Sequence, residues 1–253
     1  MRKTGSLCML LVAVSAFVWL TPAWAQKPAV TEIRPEQLRQ MLDQNVDLVL
    51  INTMSYIECR DHSIPGSVCI PCGIFDEHTD KLPRDKKKKL VYYCESDLCR
   101  RSEQCAEKSI KLGYTDVSIL KNGLPGWKVA GYETVSQERI PRRPIQSIKA
   151  FMLKRWMDEG KPMLILDIRS KDDFREGHIA GAVSIPFSRL EEQYHHLPLD
   201  RLIIVVDERG FRSFIAACYL ARKGFEMTRL FGGMERWQKL PSGKKGTPVK
   251  KQN

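Results

Sequence analysis

The 253-residue sequence has few of the features that would take it out of the ordinary globular class. Its 16 glycines and 14 prolines are scattered, so no stretch has the density of a collagen-like or low-complexity chain. Its longest apolar run, residues 7–20, is about 14 residues long and falls short of the ~20 that span a bilayer. Basic residues are not interleaved with exposed-looking aromatic ones, and no recognition motif accompanies them, which argues against nucleic-acid binding. The net charge of +11 still favours anionic partners, a class that includes small oxyanions.

The N-terminal segment has the three parts of a secretory signal peptide. Arg2 and Lys3 precede the apolar run, and Ala23-Trp24-Ala25 follows it as a small-residue cleavage pattern. We therefore expect residues 1–25 to be removed and the chain to be periplasmic or secreted, without stable membrane insertion. A retained anchor is the alternative. Seven of the eight cysteines lie after this segment, and an exported compartment permits disulfides.

The remaining sequence contains one pattern twice, in the same order. The run Ile64-Pro-Gly-Ser-Val-Cys-Ile-Pro71 aligns with Ile179-Ala-Gly-Ala-Val-Ser-Ile-Pro186. Each copy opens with an amphipathic helical pattern, over residues 34–44 in the first copy and over residues 147–160 in the second, where Ser147 is the expected N-cap. An internal repeat of this kind predicts two similar domains.

Short apolar runs follow the helical patterns in both copies. Residues 47–52 and 163–167, and later 90–93 and 202–206, are too short for helices and are bounded by polar residues. We interpret them as buried parallel strands, because strands alternate with helices throughout. The sequence therefore predicts an α/β chain with domains at residues 30–136 and 146–240, a linker at 137–145 and a basic tail at 241–253.

A set of landmarks in the second copy is specific when taken together. They are Asp167-Ile-Arg169, Glu176-Gly-His178-Ile-Ala-Gly-Ala182, Gly210-Phe-Arg212-Ser213, and Gly232-Gly233 with Trp237. This set resembles the rhodanese (thiosulfate sulfurtransferase) family. The resemblance covers nearly the whole chain after the leader and implies two tandem rhodanese-like domains, each a mostly parallel sheet flanked by helices. In that family a cysteine at a strand end opens a loop of backbone N–H groups and carries sulfur as a persulfide.

Cys94 stands at the corresponding strand end of the first copy and is the predicted nucleophile. Backbone N–H donors and a helix start lower the pKa of such a thiol and favour an oxyanion beside it. The resemblance implies that Cys94 takes sulfur from a donor such as thiosulfate and passes it to a thiol, a cyanide-like acceptor or a protein, without a metal or organic cofactor. We call residues 94–102 the first loop. Its expected substrate-binding residues are Glu95, Ser96, Asp97, Leu98, Cys99, Arg100, Arg101 and Ser102, with the two arginines offsetting the charge of the donor.

The second copy keeps this loop without the sulfur carrier. We call residues 207–213 the second loop. It begins with Asp207, and a carboxylate cannot form a persulfide. Asp207 and Arg212 therefore mark a degenerate site, and we expect the second domain to be catalytically silent. From Cys94 to Ser102 the first loop is two residues longer than the second loop is from Asp207 to Ser213.

Two alternatives start from the same first loop. The spacing Cys94-x5-Arg100 is the loop length of dual-specificity phosphatases and some arsenate reductases that share this fold. In the other alternative, Cys94 and Cys99 close a disulfide in an oxidising compartment, and the domain is a redox or binding module without transfer activity.

The other cysteines favour structural interpretations. Cys69-Ile-Pro-Cys72 has the spacing of a redox pair, but it follows a strand instead of starting a helix. A structural disulfide, with Cys59 as a candidate partner, is the preferred interpretation, and no second pair of ligands indicates a metal site. Cys105 and Cys218 are expected in the core.

Three positions of the family framework differ in the first copy. Ser63 stands where the second copy has His178, and Asn52 and Met54 stand where it has Asp167 and Arg169. We expect His178 to be a hydrogen-bonding residue and not a catalyst. The first domain should lack the internal charge pair of the second.

Overall fold

The structure, a computed structural model, describes residues 29–96 and 99–240. The predicted signal peptide and the basic tail lie outside these residues, as do Asp97 and Leu98 of the first loop, so export stays a prediction. Within the described ranges, no helix combines the length and the apolar character needed to cross a bilayer.

The first domain alternates strands with helices. Its elements are β1 (Thr31–Ile33), α1 (Pro35–Asp43), β2 (Leu48–Asn52), α2 (Tyr56–Asp61), β3 (Val68–Cys69), two 3-10 helices (Cys72–Glu77 and Thr79–Lys81), β4 (Lys89–Tyr93), α3 (Arg101–Lys111), β5 (Val117–Leu120) and α4 (Gly123–Val129). The strands pair in the order β1-β5-β4-β2-β3, and every pair is parallel. Strand β4 is central, so the site at its carboxyl end lies in the middle of the sheet edge.

The second domain repeats this arrangement. Its elements are β6 (Ser147–Ile148), α5 (Ala150–Asp158), β7 (Met163–Asp167), α6 (Lys171–Glu176), β8 (Val183–Ser184), α7 (Leu190–Gln193), a 3-10 helix (Tyr194–His196), β9 (Leu202–Val206), α8 (Arg212–Arg222), β10 (Met227–Leu230) and α9 (Gly233–Gln238). The order β6-β10-β9-β7-β8 is that of the first sheet, again with all pairs parallel. The predicted α/β fold with two parallel sheets is confirmed.

One predicted helix start is wrong. Ser147 is not an N-cap; it belongs with Ile148 to β6 and pairs with Arg229 of β10. Helix α5 starts at Ala150, with Lys149 as its N-cap. The backbone of residues 147–148 pairs with β10 in the sheet. Helical periodicity reports only local spacing and does not reveal this long-range pairing.

Apolar side chains cover both faces of each sheet, as a parallel sheet requires. In the first domain Val91 and Tyr93 pack into one cluster with Trp127, while Leu90 and Tyr92 pack into another on the opposite face. All four strand residues have no exposed surface. Two-sided burial explains why the strands appear in the sequence as continuous apolar runs.

The segment between the sheets is packed against the first domain. The N–H of Ile140 donates to Asp61 Oδ1 at 2.8 Å, and Arg142 Nη2 contacts Asp61 Oδ2 at 2.6 Å. Ile140 and Ile57 of α2 are both buried in a core cluster of the second domain. The second domain therefore supports α2, the helix that carries Glu58.

Candidate functional site

Cys94 follows β4 directly and is almost completely buried, with 1% of its surface exposed. Its carbonyl oxygen accepts the N–H of Leu124 at 2.8 Å, which ties the strand end to the start of α4. Gly123 has φ +53°, and a Cβ there would overlap the Cys94 carbonyl oxygen. The sharp approach of α4 thus fixes the backbone of Cys94 and depends on a glycine.

The sulfur of Cys94 is bonded to that of Cys99 in a disulfide, with the two Cα atoms 6.4 Å apart. Arg101 Nε donates to Cys99 Sγ at 3.0 Å. The N–H of Cys99 donates to the carbonyl oxygen of Ser96 at 3.3 Å. The first loop is therefore in an oxidised state, and the disulfide must open before Cys94 can act as a nucleophile.

Arg101 links the disulfide to two carboxyl groups. Its Nη2 lies 2.8 Å from Glu95 Oε2, and its Nη1 lies 3.5 Å from Glu58 Oε2. Glu58 also accepts hydrogen bonds from the backbone N–H and the hydroxyl of Ser55, at 2.9 and 2.8 Å. The guanidinium of Arg101 therefore contacts two carboxyl groups and one sulfur.

The two acids have opposite pKa shifts. Burial by itself raises the pKa of Glu58, but the charge of Arg101 and the hydrogen bonds from Glu95 and Ser55 outweigh it and hold this pKa at about 2. Burial, followed by the negative charge of Glu58, raises the pKa of Glu95 to about 7. Near neutral pH, Glu58 is the ionised member of the pair, and Glu95 is poised between its neutral and charged forms.

Only one of the two expected anion-holding arginines faces this centre. The side chain of Arg101 is 18% exposed, whereas that of Arg100 is 82% exposed and lies 3.6 Å from Glu103. Arg100 precedes the first residue of α3, which directs it to the surface. The alternative based on Cys94-x5-Arg100 spacing therefore lacks a guanidinium at the sulfur in this structure.

The remaining expected loop residues are only partly brought together. Ser102 is buried in the first turn of α3, Ser96 and Glu95 are half-buried, and Asp97 and Leu98 lie outside the described residues.

Glu58 is a site residue that the sequence did not reveal. The pattern Ser55-x-x-Glu58 is a capping box, and both of its hydrogen bonds are present at the start of α2. That pattern predicts a helix start, but it does not predict the contact between Glu58 and Arg101.

The second loop shows where its backbone donors point. Asp207 accepts the N–H of Gly210 at 2.7 Å through Oδ1, and those of Arg212 and Ser213 at 2.8 and 3.1 Å through Oδ2. The carboxylate is 2% exposed. Three N–H groups thus converge on one anionic group at the strand end, and the group is a side chain of the protein itself.

The two loops sit on equivalent backbone supports. The Asp207 carbonyl oxygen accepts the N–H of Met234 at 2.8 Å, as the Cys94 carbonyl accepts that of Leu124. A Cβ on Gly233 would overlap the Asp207 carbonyl, as one on Gly123 would overlap that of Cys94. The second loop therefore shows how an anionic group is held at the position that Cys94 has in the first loop.

The other cysteines are divided between the two faces of the sheet. Cys59 of α2 and Cys69 of β3 form a disulfide, with Cα atoms 6.2 Å apart, and pack into one core cluster. Cys72 is unpaired and lies with Cys105 in the cluster on the opposite face. Cys69 and Cys72 therefore do not pair, because their side chains point into different layers. Cys218 is buried and unpaired in the second domain.

The substituted framework positions keep their hydrogen-bonding roles. Ser63 Oγ donates to the Cys59 carbonyl at 2.6 Å, and His178 Nδ1 contacts the Phe174 carbonyl at 2.9 Å, four residues back in both cases. Arg169 and Asp167 form a buried ion pair at 2.7 Å. In the first domain Asn52 Nδ2 instead donates to Ser63 Oγ at 3.1 Å.

The sequence is similar to a known family and to several known proteins. A family model described as "Rhodanese-like domain" matches residues 34–130 and 150–240. Thiosulfate sulfurtransferase GlpE of Shewanella oneidensis is 37% identical over 82 residues, which are 32% of this chain and 81% of that protein. The putative sulfur carrier protein YrkF of Bacillus subtilis is 30% identical over 103 residues, which are 40% of this chain and 55% of that protein. The crystal structure of thiosulfate sulfurtransferase from Pseudomonas aeruginosa is 21% identical, covers 80% of this chain and 43% of that chain, and has a TM-score of 0.41.

Proposed function

Because the chain belongs to the rhodanese-like family, we propose that its first domain is a sulfurtransferase that carries sulfane sulfur as a persulfide on Cys94. The proposed donor is a small sulfur oxyanion such as thiosulfate, and the proposed acceptor is a nucleophile such as a thiol or cyanide. The observation that supports this most is the convergence of three N–H groups on Asp207, because Cys94 stands at the equivalent strand end with equivalent support.

In the proposed reaction, the opened disulfide supplies Cys94 as a thiolate. The thiolate attacks the outer sulfur of thiosulfate, the sulfur–sulfur bond of the donor breaks, and sulfite leaves with the bonding pair. Arg101 is the cation next to the reacting sulfurs, and it lies 3.0 Å from Cys99 Sγ. The second domain has Asp207 instead of a thiol at its strand end, and its part is to support α2 and Glu58.

The test of transfer is thiocyanate production from thiosulfate and cyanide. The protein is reduced and then freed of reductant, because small thiols also accept persulfide sulfur. Cys94→Ser should remove both sulfite release from thiosulfate and thiocyanate production. Cys218→Ser, which changes an unpaired buried cysteine of the other domain, should keep both. Equal activity in Cys94→Ser and the parent would refute the proposed role of Cys94.

Glu95 should make donor binding depend on pH. With a pKa raised to about 7 by burial and by Glu58, Glu95 is neutral in mild acid and gains a negative charge as the pH rises through 7. That charge repels a dianionic donor. For a unit charge and a dianion ~8 Å apart in water, KM for thiosulfate should therefore rise roughly fivefold between about pH 6 and 8. Glu95→Gln should have a flat KM over the same interval. A parent KM that does not change with pH would contradict the assignment.

The Cys94–Cys99 disulfide favours a second candidate, a redox module without transfer. In that case the fully reduced protein would release no sulfite from thiosulfate, although its two cysteines would still cycle between thiol and disulfide. Sulfite release therefore separates the two candidates.

A further inference from the structure

The first loop holds a second sulfur at bonding distance from Cys94. The Cα separation of 6.4 Å between Cys94 and Cys99 falls within the ~4.4–6.8 Å of ordinary disulfides. The described backbone at both cysteines is therefore already placed for the two sulfurs to meet. A sulfur atom carried on Cys94 would have the Cys99 thiol as its neighbour.

The extra length of the first loop accommodates this neighbour. Between Cys94 and Arg101 the first loop has two more residues than the second loop has between Asp207 and Arg212, and Cys99 lies in that stretch. In the second loop the N–H of Gly210 donates directly to Asp207, and residues 207–213 contain no cysteine. Cys99 is therefore a feature of the domain that carries the proposed nucleophile.

Arg101 activates Cys99 more directly than it does Cys94. Its Nε donates to Cys99 Sγ at 3.0 Å, and a guanidinium beside a thiol favours the thiolate, which is the attacking form. Glu58 holds Arg101 in place from α2. Arg101, the cation of the site, thus contacts Cys99, the second cysteine of the first loop.

We propose that Cys99 is the resolving thiol that releases the sulfur carried on Cys94 as hydrosulfide, an inference that rests on the sulfurtransferase function above. After thiosulfate has loaded Cys94 and sulfite has left, Cys99 Sγ attacks Cys94 Sγ. A Cys94–Cys99 disulfide forms, and the bond between Cys94 Sγ and the outer sulfur breaks. The outer sulfur leaves with the bonding pair and takes up the proton that Cys99 released on becoming a thiolate, so hydrosulfide is the product.

The electrons of this step balance within the site. The outer sulfur is reduced to sulfide, and the two cysteine sulfurs are oxidised to the disulfide. An external dithiol must then open the disulfide by exchange before the next turnover. Over a full cycle, thiosulfate and a dithiol give sulfite, sulfide and the oxidised dithiol.

Unless an external acceptor such as cyanide is present in large excess, proximity favours Cys99 over an acceptor from solution. A correctly placed intramolecular nucleophile has an effective concentration far above that of any metabolite. Among the described residues, Cys59 and Cys69 are paired with each other, and Cys72 and Cys105 lie in the core cluster on the other face of the sheet. No other described thiol therefore competes for the persulfide within the domain.

A single-turnover experiment on the whole protein tests this inference. The reduced, desalted protein is mixed with about one equivalent of thiosulfate, without cyanide or added thiol, and sulfite, sulfide and intact mass are measured. The parent should release sulfite and sulfide in equal amounts and end as the Cys94–Cys99 disulfide. Cys99→Ser and Cys99→Ala should release sulfite, keep the adduct of about +32 Da, and yield at least about tenfold less sulfide. Cys72→Ser should behave as the parent.

Each outcome separates this inference from the proposed function. Sulfite release with a lasting persulfide and no sulfide in the parent would overturn the role of Cys99 and leave transfer by Cys94 intact. An absence of sulfite from the parent and from every variant would overturn both. The parent measurement decides the matter even where a Cys99 variant folds poorly.

Discussion

Replacing Gly123 by alanine is expected to destabilise the protein by about 3 kcal/mol or more and to abolish sulfur transfer. Two effects combine. Gly123 has φ +53°, where a residue with a side chain is strained, and the added Cβ would overlap the carbonyl oxygen of Cys94. Because the obstacle is backbone, it cannot turn aside as a flexible side chain would. The start of α4 must move, and the hydrogen bond from Leu124 that fixes Cys94 is lost with it.

Gly233→Ala is the matched control for this substitution. Gly233 has φ +58°, and its Cβ would overlap the carbonyl oxygen of Asp207 in the same way. Denaturant unfolding should show a comparable loss of stability in both variants. Thiocyanate production per folded molecule should vanish for Gly123→Ala and persist for Gly233→Ala. Loss of activity in both variants alike would mean that the support under Cys94 has no special role.

Arg101→Met is expected to cost about 3 kcal/mol of stability at neutral pH, since it leaves Glu58 as a buried charge without its cation. The pKa of Glu58 is held at about 2, below its ordinary 4.5, and Arg101 is the foremost cause of the lowering. A lowered carboxyl pKa stabilises the folded state above pH 4.5, and this contribution is lost as the pH falls through about 2. The stability difference between parent and variant should therefore be largest near neutral pH and shrink in acid.

Arg100→Met gives the control for Arg101→Met, because it removes the same charge one residue earlier. The side chain of Arg100 is 82% exposed, so its replacement should change stability by no more than about 0.5 kcal/mol. Sulfur transfer should fall sharply in Arg101→Met and remain in Arg100→Met. The reverse ranking would restore the Cys94-x5-Arg100 interpretation and remove Arg101 from the site.

The fold was predictable because its main signals are local. The apolar runs at residues 163–167 and 202–206 predict buried strands, and the structure has β7 and β9 there. A strand that is buried on both faces needs apolar side chains at successive positions, which gives a continuous apolar run. Strands β1 and β6, of three and two residues, were not expected. They exist only through pairing with β5 and β10, which lie far away in the chain.

The site was less predictable because it depends on packing between distant elements. The position of Cys94 at a strand end follows from the apolar run before it. The choice between Arg100 and Arg101 depends on where α3 begins, which two adjacent arginines do not reveal. Glu58 is 43 residues before Arg101, and only the packing of α2 brings them together. Local patterns thus locate the nucleophile, and tertiary structure chooses its partners.

The Asp207 carboxylate permanently occupies the anion-binding loop of the second domain, because it is covalently attached to the chain. A free oxyanion could enter that loop only by displacing a group fixed two bonds from the backbone, against an effective concentration that no metabolite reaches. At the equivalent strand end the first loop has Cys94 instead of a carboxylate, so an anion that binds there would stabilise the first domain by mass action. Added oxyanion should therefore leave the stability of the second domain unchanged and raise that of the first.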